Sequence, residues 1–368
     1  MYRYKSHLNG MDYLWNGADL MSANQQILLG GGGTTEESTT WIAVAHGLSP
    51  YITAYPWNSI TGFGAKFSNP GTLPTGTGRG VAFTSAGDAV AVGHSSSPYL
   101  TAYPWSGSGF GTKFSNPGTL PGGTGYNVAF SPSDDAVAVG CSASPYIFAY
   151  PWSGSGFGTK FSNPGTLPVG AGRGLAFSPA GDFIASAHAS SPYITIYPWS
   201  GSGFGTKFSD PGTTPTGIGR DVAFSPSGDA VAVAHDSSPY ITAYPWSGSG
   251  FGTKFSNPGT LPTNAGSDAI FSLAGDFIFV AHNSSPYITA YPWSGSGFGT
   301  KISDPGTLPG DYGYTASFSP AGDAIAVGHS VTPYLTAYPW SGSGFGTKFS
   351  DPGTLPGAVL AVSFGTSE

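Results

Sequence analysis

The tripeptide Tyr-Pro-Trp occurs seven times in this chain, ending at Trp57, Trp105, Trp152, Trp199, Trp246, Trp293 and Trp340. The first interval is 48 residues and the next five are 47. A fixed period in the forties means that one supersecondary unit is stacked against copies of itself. The single extra residue lies in Asn58-Ser-Ile-Thr-Gly62, where the next unit has only Ser106-Gly-Ser-Gly109. A length change tolerated at that point marks a surface hairpin loop.

One unit reads as four short strands. Val81-Ala-Phe-Thr is the first, Asp88–His94 the second, Pro98–Tyr103 the third and Phe110–Phe114 the fourth. Alternation places Val90, Val92 and His94 on one face, and Tyr99, Thr101 and Tyr103 on one face of the next strand. Pro104 cannot donate to a ladder and ends the third strand. Gly87-Asp88 and Ser95-Ser-Ser-Pro98 supply the turns, and no stretch has a helical period with caps. Gly 58 and Pro 32 together fill about a quarter of the chain. With this period, that share means turns between strands rather than disorder. Four strands per unit predict an all-β, seven-bladed propeller. A parallel β-helix has shorter coils and lacks hairpin turns.

The array begins within a unit, at Trp41–His46, a second strand, and ends at Ala358–Phe364, a first strand. The C-terminal strand is therefore expected to complete blade one and close the ring, which removes free edges. The propeller is assigned to residues 41–368. Residues 1–40 carry Tyr2, Tyr4, Tyr13 and Trp15 without a strand pattern, then a Gly- and Thr-rich stretch. They read as an arm and linker that docks on a partner or a neighbouring copy. Val222-Ala-Phe-Ser-Pro-Ser-Gly-Asp229 resembles the first strand and turn of the WD-repeat superfamily, and Tyr244-Pro-Trp246 stands where its Trp-Asp would fall. The Trp-Asp dipeptide and the Gly-His pair are missing, so the resemblance implies the fold and not that family's hydrogen-bond network.

Charged residues make up 8% of the chain, with a formal net charge of −7. That excludes a coiled coil and leaves no basic surface for nucleic acid. Aromatic residues at 14% are too many for disorder. Cys141 is the sole cysteine, so neither an internal disulfide nor a cysteine-based zinc site is available. Met1–Trp15 lacks the apolar core of a secretory signal, and no apolar run is long enough to span a membrane.

Several residue types recur once per unit. His46, His94, His188, His235, His282 and His329 share one position, with Cys141 in the seventh unit. Neighbouring sheets lie about 10 Å apart, too far to share a metal with bonds of about 2 Å. These histidines are expected to bond to backbone. Asp88 and its five counterparts read as turn residues. Lys66, Lys113, Lys160, Lys207, Lys254, Lys301 and Lys348 fall in the fourth strand, where they either blunt an edge or form a ring of anion contacts. The units differ most just before the first strand, where Arg79, Tyr126, Arg173, Arg220, Ser267, Tyr314 and Ala361 align, followed by Asn127, Asp221 and Asp268 among others. Arg79, Tyr126, Arg173, Arg220 and Tyr314, with Trp15 of the arm, are the candidate partner-binding residues. The alternative for the loop residues is drift after duplication.

No nucleophile elbow, zinc-binding helix or phosphate loop is present, so no catalytic, metal or cofactor residue is assigned and no cofactor is expected. The repeat text also resembles bacteriophage virion proteins. That resemblance implies a non-enzymatic tail or capsid component, located on the particle, that binds another virion protein or a host surface. A second reading is a multivalent lectin whose near-identical outer strands stack Tyr, Trp and Phe on sugars, with host-surface glycan as ligand. A propeller hydrolase ranks third.

Overall fold

The computed structural model describes residues 39–367 and, by backbone alone, two paired strands, Lys5–Leu8 and Met11–Leu14. The chain divides into the compact units Met1–Glu37 and Ser38–Glu368. The expectation of a docking arm, Trp15 included, falls outside the described residues.

The second unit forms seven antiparallel sheets whose inner strands meet neighbour to neighbour around a closed circle, a seven-bladed β-propeller. Blade two is typical, with an inner strand Gly78–Phe83, a middle strand Ala89–His94 and an outer strand Leu100–Pro104. Its Ala-Val-Ala-Val alternation produces the packing between blades. Val90, Val92, Tyr103 and Trp105 face blade one and meet Ala43, Ala45 and Ala54. On the opposite face, Ala89, Ala91 and Ala102 receive Val137, Val139, Tyr150 and Trp152 of blade three. A large face thus meets a small one here, whereas between blades six and seven Phe277 and Phe279 take the small positions and pack edge-on against Trp340.

The repeated tryptophans belong to these interfaces. Each is 4–7% exposed. Trp105 meets the edges of Phe67, Phe83 and Phe110 at centroid distances of 5.2, 5.3 and 4.9 Å, a geometry that adds to simple burial. Tyr103 is fully buried and donates its hydroxyl to the Thr72 carbonyl at 2.8 Å. The tyrosine and tryptophan of each Tyr-Pro-Trp are thus part of the core.

The fourth strand is the other departure. Only blade one has one, the short Gly62–Phe63; in the other six a single bridge of the Trp105–Phe110 kind remains. Gly111 and Phe114 donate to the Pro104 and Ala102 carbonyls at 2.8 and 3.0 Å. Pro104 has no N–H to return a bond, so the ladder stays one-sided. The seven lysines therefore lie on no ladder edge. Each is tethered to the Asn or Asp three residues on, as Lys160 is to Asn163 at 2.6 Å and Lys207 is to Asp210.

The histidines bond to side chains through Nε2, and the backbone two residues on also acts on each ring, as expected. In six blades Nε2 meets a threonine hydroxyl of the outer strand, as His94 meets Thr101 at 2.9 Å. The partners in the other five are Thr53, Thr195, Thr242, Thr289 and Thr336. Blade three changes both members, to Cys141 and Phe148, and the thiol bonds to the Ala143 carbonyl at 3.1 Å. Burial lowers the six histidines from 6.5 to about 4.

Val359–Thr366 closes the ring by pairing with Thr40–His46. Tyr55 bonds to the Thr354 carbonyl at 2.7 Å, repeating across the seam the bond made by Tyr103 within the chain. Removing residues 358–368 strips blade one of its inner strand and bares the middle one. The expected result is aggregation and loss of a single cooperative melting transition by calorimetry; an unchanged, monomeric melt would refute closure. Acid supplies a second test. The unfolded chain binds protons on these histidines below 6.5 while the folded chain binds them only near 4, so stability is complete above 6.5 and is lost as pH falls toward 4. The melting temperature should drop by at least about 5 °C between pH 7.5 and pH 5; a flat profile would contradict the neutral buried state.

Candidate active site

Each inner strand starts at a point where two blades nearly touch. At Gly78, Gly125, Gly172, Gly219, Gly266 and Gly313, a Cβ would overlap the carbonyl oxygen of Tyr51, Tyr99, Tyr146, Tyr193, Tyr240 and Tyr287 of the preceding blade. Those tyrosines have φ of 68 to 70°, a left-handed conformation that costs energy in a non-glycine residue. The next residue of the inner strand is skipped in the pairing. Gly78 pairs with His94 and Gly80 with Gly93, leaving Arg79 as a bulge, and all seven blades repeat this shift. Bulges re-aim side chains. Here they turn seven of them into the mouth of the central channel.

The ring so formed is Arg79, Tyr126, Arg173, Arg220, Ser267, Tyr314 and Leu360, lining a cavity of about 370 Å³. That volume suits a small molecule. Five of the six residues expected to bind a partner therefore converge on one cavity, Trp15 lying outside the described residues. Blade one contributes Leu360, not the Ala361 that counting suggests. The loop before it is one residue shorter, so Val359 and Ala361 flank the bulge.

Arg79 and Arg173 stand on either side of the Tyr126 ring, their guanidinium carbons 5.8 and 5.2 Å from its centroid. The Nε atoms of both are buried with no acceptor among the described residues. Arg220 reaches Asp236 at 3.5 Å. Burial, together with Arg220 and Arg79, pulls Arg173 below the usual arginine range, although a guanidinium stays charged. Of the ten lysines and arginines beyond residue 40, seven are the tethered lysines and the other three are these arginines. The cations beyond residue 40 that are not tethered to their own loop are therefore gathered in one arc of the channel.

Directly below, Asp221 and Asp268 face one another from adjacent blades, and their carboxyls are hydrogen-bonded. Each also accepts a backbone N–H of the following blade, Asp221 from Ala269 at 3.5 Å and Asp268 from Ala316 at 2.7 Å. Gly174 makes room, because a Cβ there would overlap Asp221 Cα and Oδ1. Both carboxyls keep some surface toward the channel, yet protein encloses them, and burial dominates. It drives Asp221 well above the usual carboxylate range, with the Asp268 charge adding to the effect. Asp268 rises less, since Asp221 and the Ala316 N–H donate to it. Burial and the closeness of the two carboxyls thus favour retention of a proton by the pair, more strongly at Asp221. Asp221 and Asp268 were visible in the sequence only as neighbours of the variable position. What marks them is that they break the repeat, in adjacent blades, at one register. Among the described residues no three His, Cys, Asp or Glu side chains gather as a metal site.

No family model and no curated protein matches the chain, so the resemblance to WD-repeat proteins goes no further than the fold. Solved structures match over nearly their full length. A "putative 6-phosphogluconolactonase" of Bacteroides fragilis is 12% identical with a TM-score of 0.74, covering 91% of this chain and 99% of that one. A protein of the same description from Bacteroides uniformis is 14% identical with a TM-score of 0.70, covering 89% and 99%. The periplasmic gluconolactonase of Pseudomonas aeruginosa is 13% identical with a TM-score of 0.68, covering 89% and 99%. At such identities the likeness is one of fold. It nevertheless corrects the expectation of a non-enzymatic virion component on a phage tail or capsid, because these three neighbours are named as bacterial lactonases, one of them periplasmic.

The carboxyl pair has a measurable signature. The folded state keeps a proton on Asp221 above 3.8, where the unfolded chain has released it, so stability is lost as pH rises from 3.8 to the folded value. Asp221→Asn escapes that loss. Its melting temperature relative to the parent should climb between pH 5 and pH 8, and a difference that stays constant would rule out the protonated pair.

Proposed function

We propose that the channel mouth hydrolyses a small anionic sugar lactone. The observation that carries this is the gathering of three arginines and the facing carboxyls of Asp221 and Asp268 in one cavity, where burial raises both carboxyls above their usual range. The lactonase names of the structural neighbours support the choice of bond.

In this reading the arginine arc binds the anionic group of the substrate through the fork geometry that suits carboxylates and phosphates. Asp268 takes a proton from water as the water oxygen bonds to the lactone carbonyl carbon. Negative charge grows on the carbonyl oxygen beneath the arginines, where fixed donors stabilise it. As the ring C–O bond breaks, Asp221 delivers its proton to the leaving oxygen. A single transfer across the hydrogen bond between the two aspartates restores the starting state, leaving a hydroxy acid and one water consumed. Neighbouring groups pushed to different protonation states suit this division of acid and base.

The test is proton release in a pH-stat with 6-phosphogluconolactone and gluconolactone, read above the spontaneous rate. Asp268→Asn should lower kcat by about 10²-fold or more, and Arg173→Ala should raise KM for the phosphorylated substrate by about tenfold. No rate above background with either lactone, or full activity in Asp268→Asn, would overturn the proposal.

A further inference from the structure

The rim of the channel has two unlike halves. Blades two, four and five present Arg79, Arg173 and Arg220, whereas the adjacent blades seven and one present Tyr314 and Leu360. The turns between middle and outer strands change in step. At one position of this turn four blades have serine, at Ser96, Ser190, Ser237 and Ser284, and blade three has Ala143. Blades one and seven have Leu48 and Val331 instead, 64% and 41% exposed. The facing loop changes too. Thr75, Thr216 and Thr263 clamp the turn in blades two, five and six by hydrogen bonds to its carbonyls, such as Thr75 to Ser97 at 2.7 Å. In blades seven and one the same position is Gly310 and Gly357, where a Cβ would press on Val331 and Leu48. The threonine clamp is missing from blades one, three, four and seven, but only in blades seven and one, side by side, does an exposed aliphatic residue also replace the small residue of the turn. Tyr312, 44% exposed, stacks on Tyr314 with centroids 6.4 Å apart and so joins this apron to the cavity.

We infer that the ligand is amphiphilic, with an anionic group in the arginine arc and an apolar substituent lying over Leu48, Val331 and Tyr312. This rests on the channel mouth being an anion site. Tyr314 lines that cavity and carries Tyr312 of the apron stacked on it, so the apron meets the rim at blade seven. Exposed aliphatic side chains lower the free energy of a ligand only if it carries apolar surface to bury. The occupant is a soluble molecule, since a cavity that draws the charged group below the rim suits a single ligand better than a bilayer surface.

Serine is native to the other blades, so Leu48→Ser with Val331→Ser tests the apron with little risk to the fold. Methyl phosphate and octyl phosphate, the latter kept below its micelle concentration, are compared by calorimetric titration. The parent should bind octyl phosphate at least about tenfold more tightly than methyl phosphate, from partial burial of the chain. The double variant should keep its melting temperature and its methyl phosphate affinity while the advantage of the octyl ester falls below about threefold. Equal affinities in the parent, or an advantage that survives the double change, would overturn the amphiphile and leave the anion site standing. If neither ester binds, or Arg173→Ala does not weaken methyl phosphate, the anion site fails and this inference fails with it. Binding to vesicles containing phosphatidic acid, without any gain for monomeric octyl phosphate, would assign the apron to a membrane surface and also overturn it.

Discussion

The close approach of each inner strand to the turn of the preceding blade governs the rest of the structure. A tyrosine carbonyl stands where a side chain would be, so the strand must begin with glycine. Pressed against its neighbour there, the strand cannot continue in register and throws out the next residue as a bulge. One steric constraint therefore sets the spacing of the blades and also supplies seven outward-turned positions around the channel. Blade one shows the limits of the rule. Val359 replaces the glycine, in the space that Gly328 of blade seven leaves empty.

Against that sevenfold scaffold, chemistry appears only where the copies disagree. The tryptophans, tyrosines, lysines and most of the histidines recur because they hold neighbouring sheets or their own loops. Arg79, Arg173, Arg220, Asp221 and Asp268 recur in no regular order, and they meet in one cavity. An ionisable group that earns no structural place in other blades, yet stays half-buried in one, is held there at a cost in desolvation. Blade three shows that a break in the repeat can also be structural. Cys141 and Phe148 depart together, and each answers the other's change in volume and polarity.

Much of the fold could be read from the sequence because its causes are local. Alternating Ala and Val, the Tyr-Pro-Trp period and the mid-unit start predict sheets, blade count and closure without knowledge of any distant contact. The fourth strand was misjudged because Phe110–Phe114 has strand-like residues, whereas pairing depends on the donor that Pro104 lacks. The threonine partners of the histidines and the burial of the tryptophans depend on which face meets which neighbour, and periodicity leaves that open. The ring of Arg79, Tyr126, Arg173, Arg220 and Tyr314 was legible as the place where units differ. Its seventh member was not, because a one-residue deletion before Leu360 moves the register. The Asp221–Asp268 pair depends on contact between blades, and low overall charge hid it. The repeat text describes how the scaffold is built, so its resemblance to virion proteins says nothing of the channel mouth.

The seam has a kinetic meaning. Six of the seven tyrosine-to-threonine bonds join residues 31 apart in the chain, and the seventh, Tyr55 to Thr354, joins residues 299 apart. Loop-closure entropy grows only with the logarithm of length, so the longer loop costs about 2 kcal/mol more than a short one. One eight-residue strand and one hydroxyl can offset that. Each blade can form on its predecessor through contacts local in sequence, giving an arc that grows quickly. Only the last step is a search over the whole chain, and until it succeeds both ends of the arc display unpaired sheet. The dangerous interval in the life of this molecule is therefore short in sequence terms and late in time, confined to the docking of a single strand.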